Sequence, residues 1–483
     1  MTSGLALVIV GIFIAALCIL GQAYLALARS TWDWADLLSF GFPLGAGLVT
    51  WTLFLLSMAG LPVTAWTTIA VYLVLLTAAA AALLMRRIVP RSDAGMVHTG
   101  ASGSGNDRVV NKALLGGMAL VTVTAAALSI ARSYSTWDAA AIWAVKGYGV
   151  YLEGTVRAAE RWGAHGAAYP LNVPLLIGSI FSLTGDPGPV SKVLFPGFLM
   201  SISLVSYRGW RALGVSQTLA GLGALTLATT PVLFYHGTIG YANLPLAAYI
   251  LGGSIMGVIA IHGTTLNARL AVLSGVFLGL ASWTRVDGLL YGSAVVGSLI
   301  LVAAILQGRH ANWNHIVLLA AAFGVITLIW VLYYESFGAQ GSQATGAYSR
   351  ALAAWRQGDY RLQNIRLIFG YFRRNVFHLP TWGVLFAAVG ALLLLNWRVS
   401  LQERDPVVLS LLLAFGGTAL VTCVLFYVGS YVKVDYLPWL EQGFPRAFFP
   451  SVTLLVAGAL GSCRGVSTGT PAPAPVGELG DER

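Results

Sequence analysis

YPLNVPLLIGSIFSL, residues 169–183, decides how this chain is threaded. The stretch is apolar, but a membrane-crossing helix needs about 20 predominantly apolar residues, and Pro170 and Pro174 crowd its first turn. Around it, other apolar stretches recur at 4–28, 37–58, 62–85, 112–131, 187–207, 216–234, 243–262, 268–284, 288–306, 314–335, 380–396, 406–428 and 447–462, thirteen in all. Counting residues 169–183 as a further span puts Arg208 and Arg211 on the same side as the loop holding Trp137. It also parts Arg398 and Arg404 from Arg86, Arg87, Arg91, Arg108 and Lys112. Laid along the membrane instead, the stretch lets the short loops with Arg208, Arg211, Arg269, Arg309, Arg398 and Arg404 share one face with the Arg86–Lys112 loop. Short basic loops mark the cytoplasmic side, so the N-terminus is expected outside and the C-terminus inside.

The composition sets the class. Of 483 residues, 57% are hydrophobic and 10% charged, whereas a soluble domain carries roughly 25% charged residues. Lipid offers no partners to a bare backbone, so the spans are expected to be helices: an all-α polytopic membrane protein with about thirteen of them. The formal charge of +10 belongs to loops that set topology and meet anionic lipid. No basic block interleaves with aromatics on a soluble face, which excludes a nucleic-acid partner. Lys and Arg divide 14 inside and 14 outside, and ten of the outer ones fall within residues 132–161 and 350–374. Cys18, Cys423 and Cys463 have neither metal spacing nor a disulfide framework. The N-terminal run lacks a basic leader and is too long for a cleavable signal, so it reads as the first span. Three parts follow: residues 1–111, a three-helix extension with a Gly/Ser-rich cytoplasmic linker; 112–462, the main body with outer loops 132–186 and 336–379; and 463–483, a disordered tail.

Ionisable residues collect at the outer edge. In STWDAAAIWAVKGYGVYLEG, residues 135–154, residues 139–153 read as an interfacial helix whose Trp143, Tyr148 and Tyr151 suit the headgroup level. Asp138 has two readings. Ser135-x-x-Asp138 is a capping-box pattern that does no more than start a helix; alternatively the carboxylate does chemistry.

The order of motifs bears on that choice. WDAAAIWAVKGYGVYLEG, then AYPLNVPLL, GYANLPLAAY, ASWTRVDGLLY and FPRAFFP, together resemble the membrane glycosyltransferases of the GT-C superfamily. That group includes bacterial enzymes related to aminoarabinose transferases and protein O-mannosyltransferases. The resemblance covers about residues 132–450. It implies that Asp138 is the loop-one carboxylate, the catalytic base. Lys146 matches a basic position of a Trp-x-x-Lys-x-Lys pattern, with Gly147 and Tyr148 in place of what often follows. Tyr169 and Pro170 match a Tyr-Pro pair, though Ala168 stands where an acidic residue is common. Asn243 replaces the Asp of an Ala-Asp-Leu-Pro motif. Arg285, Val286 and Asp287 stand for a Lys-Asn-Glu run ahead of Gly288, and Arg446 matches an Arg before the final helix. The missing carboxylates tell against a multi-carboxylate metal site, so no cofactor is assigned and a divalent cation is left open.

The implied reaction moves a sugar from a polyprenyl phosphate to an acceptor hydroxyl on a lipid, glycan or protein, with inversion. It takes place at the extracytoplasmic face of the cell membrane. A carboxylate within reach takes the hydroxyl proton, and fixed cations stabilise the leaving phosphate. The outer segment YRLQNIRLIFGYFRRNVFHL, residues 360–379, offers such a wall: Ile365, Ile368, Phe369, Phe372 and Val376 form an apolar stripe, with Arg361, Arg366, Arg373 and Arg374 largely off it. The same pattern serves a helix merely drawn to lipid headgroups. His236 and His378 read as hydrogen-bonding residues. The rivals are a transporter or flippase, for which inverted repeats, midplane charges and paired broken helices would speak and none is evident, and a lipid-linked glycan ligase or polymerase.

Overall fold

The computed structural model describes residues 3–28, 36–88, 105–162, 169–263, 267–336, 343–396, 404–433 and 435–463. Among these residues every regular element is a helix. Nine helices are long and apolar enough to cross a membrane: Gly4–Ala28, Leu37–Met58, Ala65–Met85, Val109–Ala131, Pro189–Ala212, Asn243–His262, Val286–His310, Trp313–Glu335 and Pro406–Gly429. Two more positions are filled by bent pairs, Gln217–Thr229 with Pro231–Thr238 (59°) and Tyr436–Ala447 with Phe449–Gly461 (40°). Ala268–Thr284 and Leu385–Leu395 are apolar but shorter. The protein is therefore a multi-pass, all-helical membrane protein.

The bends correct the expectation that no broken helices are present. Pro231 and Pro450 each sit in the first turn of the second half, and Pro445 lies inside the helix before the second bend. Proline supplies no N–H and clashes with the preceding turn, so each pair breaks there.

Burial orders the helices. The apolar window of Asn243–His262 is 94% buried, against 17% for Ala65–Met85, so the first is the axis and the second the rim. On the rim Leu73, Val74, Leu120, Leu328 and Leu420 are exposed, as lipid-facing side chains must be. Helix Leu37–Met58, part of the N-terminal extension, is inserted near the axis. Its Pro43 carbonyl accepts from the Tyr249 hydroxyl at 2.9 Å, and a Cβ on Gly45 would lie 2.0 Å from the Leu17 carbonyl oxygen. Only glycine allows that crossing of helices Ser3–Ala28 and Leu37–Met58.

The decisive stretch forms helix Asn172–Thr184. Asn172 through Phe181 are all buried inside the protein, because polar partners pull it inward. Thr50 donates to Asn172 Oδ1 at 2.7 Å, and the Asn172 amide donates to Thr284 Oγ1 at 2.8 Å and Tyr249 Oη at 3.3 Å. A buried amide satisfied from three helices fixes the packing of all of them.

Loop contacts sort into two ends. At one, Asp36 pairs with Arg208 at 3.1 Å, Asn267 donates to the Ala28 carbonyl, and Asn396 donates to Cys463 Sγ. At the other, the Val63 N–H bonds the Gly154 carbonyl, Tyr333 donates to Glu160, and Asp138 meets Arg446. Helix Ala268–Thr284 runs from Asn267 at the first end to Arg285 at the second. The linker at 89–104 and the tail from 464 lie outside the described residues.

Candidate functional site

The end that holds Asp138 gathers five stretches of sequence into one connected cluster. Asp138 directly precedes helix Ala139–Ala144 with helical angles of its own (φ −63°, ψ −36°), and its side chain makes no capping bond. The capping reading of Ser135-x-x-Asp138 therefore fails here. Instead Asp138 Oδ2 accepts from Arg446 Nη1 at 2.5 Å, with both side chains 21% exposed. Among the described residues nothing hydrogen-bonds the other oxygen, Oδ1.

Arg446 owes its place to the bend after Ala447. Its guanidinium lies 5.0 Å over the Tyr241 ring, and its carbonyl accepts from Asn243 Nδ2 at 3.0 Å. Asn243 Oδ1 in turn faces Arg285 Nη1 at 3.5 Å. An asparagine bridges these two neighbours because it both donates and accepts, which an ionised aspartate cannot do. Arg285 sits in the extended corner between helices Ala268–Thr284 and Val286–Val302, and grips Asp287 with two bonds of 2.9 and 3.1 Å. Gly288 makes that corner: a Cβ there would lie 2.1 Å from the Ala281 carbonyl oxygen.

Tyr169 closes the ring of contacts. Arg285 stands 5.7 Å over its ring, Trp143 packs edge-on at 5.2 Å, and its carbonyl accepts from Lys146 Nζ at 3.0 Å. Lys146 is fully buried and lines neither cavity. Burial pushes its ammonium down to about 7, with the Glu160 charge opposing in part. Lys146 therefore ties its helix to the Tyr169 segment.

Beside Arg446 opens a cavity of about 260 Å³, lined by Pro231, Tyr235, His236, Pro380 and Pro445 among others. His236 is buried, and its Nδ1 has no hydrogen-bond partner; the expected hydrogen-bonding role is not seen. The imidazole is held by ring contacts alone, 4.7 Å from Phe449 and 5.3 Å from Tyr241. His378 meets Thr381 Oγ1 at 2.7 Å.

The structure brings Asp138, Lys146, Tyr169, Arg285, Asp287 and Arg446 together. It does not bring the four arginines of the outer segment to them. Arg361 donates to the Ser430 carbonyl at 2.5 Å and to Asp359 at 3.3 Å, and covers the Tyr431 ring at 4.4 Å. That pins the segment to the end of helix Pro406–Gly429. Arg366, Arg373 and Arg374 are exposed on helix Leu362–Val376, where Arg374 donates to its own Gly370 carbonyl. The opposite face carries Tyr371 and Phe372, which pack on Phe444. Sequence reasoning left Tyr241 and Asn243 without roles, although both stand in the GYANLPLAAY stretch.

Asp138 and Asp287 are each taken by an arginine, so the cluster offers no pair of carboxylates to a cation. Among the described residues no group of three His, Cys, Asp or Glu side chains is placed to hold one. The chain matches no family model, no curated protein and no solved structure.

Proposed function

We propose that this protein is a membrane glycosyltransferase of the GT-C type, which moves a sugar from a polyprenyl-phosphate donor to an acceptor hydroxyl. The single observation that carries the reading is convergence. Five motifs spread from Trp137 to Pro450 supply one contact network centred on Asp138 and Arg446. On this reading thirteen spans cross the cell membrane, counting the bent and short helices, and the cluster faces the extracytoplasmic side.

Asp138 is the base. Its Oδ1 takes the acceptor proton as the hydroxyl oxygen bonds to the anomeric carbon, and the carbon–oxygen bond to phosphate breaks with its electron pair leaving on the phosphate. Asp287 is spent on Arg285, so no second carboxylate stands ready as a nucleophile, and a single displacement inverts the anomeric configuration. Arg446 favours the ionised carboxylate and fixes its direction. The cavity beside His236 has room for a sugar or acceptor and is lined by Arg446, the partner of Asp138.

One observation favours transport instead: the two broken helices meet at the charged cluster, as discontinuous helices do in transporters. Each break follows or precedes a 13-residue segment, about 20 Å of helix, in a core roughly 30 Å thick. On this reading each break falls only about 5 Å to the outer side of the midplane, and a transfer assay in detergent separates the two readings.

The test is transfer of radiolabelled sugar by the purified protein in detergent, where no compartments exist to transport between. Label passing from polyprenyl-phosphate sugars, and not from nucleotide sugars, is the expected result. No transfer from any polyprenyl-phosphate sugar, with uptake in vesicles, refutes it.

A further inference from the structure

Near the cluster, Arg446 and Arg285 are already matched by Asp138 and Asp287. Arg132 and Lys192 are not: neither pairs with a carboxylate among the described residues. Both line one crevice, together with Ser133, Thr136, Ala139 and Tyr235. Lys192 is 1% exposed, donates a single bond to the Ser133 carbonyl at 3.1 Å, and stands 5.4 Å over the Tyr134 ring. An ammonium has three donors, so two are idle where an unpaired buried charge is costly. In the same wall the Thr136 hydroxyl faces Tyr241.

Two like charges around one crevice are relieved by an anion between them. Size narrows the choice. The crevice is about 30 Å³, and one water needs roughly 10–15 Å³ by the same measure, so two or so oxygens fit and a sugar ring does not. Ala139 and Thr136, which line it, flank Asp138 in the chain.

We propose that Arg132, Lys192 and Thr136 bind the phosphate of a phosphate ester presented at the membrane surface. Joined to the reading of Asp138 as base, on which this placement rests, it is the donor's leaving phosphate.

The test uses the full chain in dodecyl maltoside micelles, which carry no phosphate, titrated in one arm with undecaprenyl phosphate and in the other with phosphatidylglycerol. Arg132→Gln and Lys192→Gln should each weaken binding about tenfold or more, the scale of one charge-assisted hydrogen bond. Arg373→Gln, on the exposed helix, should not. A loss confined to undecaprenyl phosphate assigns the crevice to the donor; a loss in both arms assigns it to phosphate esters generally, and both support the site. Arg132 is exposed, so its variant folds even where Lys192→Gln does not. Unchanged binding by Arg132→Gln in both arms overturns the proposal. Because binding is read without turnover, the two readings fail separately. Unchanged binding with an inactive Asp138→Asn removes this site alone, while weakened binding with an active Asp138→Asn removes only the base.

Discussion

Replacing Lys146 with methionine should make the protein more stable at low pH and less active at any pH. Burial lowers the folded-state pKa of Lys146 from 10.5 to about 7. Each pKa unit is worth about 1.36 kcal/mol, so below pH 7 the buried charge costs the fold about 5 kcal/mol as an upper bound. Methionine fills similar volume but leaves the Tyr169 carbonyl unpaired, a loss of about 1–3 kcal/mol. The net gain at pH 6.5 is then about 2–4 kcal/mol. The sign follows from proton counting. Between pH 7 and 10.5 the unfolded chain binds more protons than the folded one, so wild-type stability rises with pH through that window. At pH 9.5 only about 1 kcal/mol of the cost remains, and the lost hydrogen bond cancels it. Thermal unfolding midpoints in detergent at the two pH values read this directly. Sugar transfer should meanwhile fall by an order of magnitude or more, because the Tyr169 segment loses its anchor beside Arg285. A variant that is equally destabilised at both pH values refutes the reasoning, since the ammonium would then be a compensated, stabilising charge.

Asp287→Asn leaves Arg285 buried without its ion-pair partner and should cost about 3–5 kcal/mol, read as a lower unfolding midpoint; wild-type stability would contradict the pairing. Arg366→Ala, Arg373→Ala and Arg374→Ala should each change stability by less than about 0.5 kcal/mol and leave donor titrations alike. Arg361→Ala should be the exception, because it releases the segment from Ser430, and limited proteolysis near Asp359 would show it. In a chain freed of its own cysteines, an impermeant thiol reagent should label His165→Cys and not Ser102→Cys in intact cells. The reverse pattern inverts the topology.

Most of the architecture was legible because lipid imposes a single demand, long apolar runs, that a linear pattern records. Where the demand was local but subtler, the reading slipped. Pro231, Pro445 and Pro450 signal the two breaks, yet the apolar runs 216–234 and 447–462 hid them. Asp138 shows the limit of local pattern: Ser135 three residues before suggests a cap, while its actual partner, Arg446, is 308 residues away. The stripe at Ile365, Ile368 and Phe372 marked an amphipathic helix correctly, but spacing says nothing of which neighbour the helix meets, and its arginines face away from the cluster. Depth is equally invisible. Nothing in the pattern around Lys146 marks its full burial, and Asn172 gave no hint that three helices would satisfy its amide and draw residues 172–184 inside. Arg132 and Lys192 lie 60 positions apart in unrelated segments, so only the fold pairs them.

The central claim is that Asp138 accepts a proton during transfer, and Asp138→Asn tests it most directly. Asparagine preserves size and can still meet Arg446 through its amide oxygen, so the fold and the unfolding midpoint should change little. It cannot accept the acceptor's proton. General-base catalysis contributes roughly 10²–10⁴-fold, so transfer from a polyprenyl-phosphate sugar should fall by about that factor while donor binding holds. Transfer at the wild-type rate by a folded Asp138→Asn protein would contradict the account.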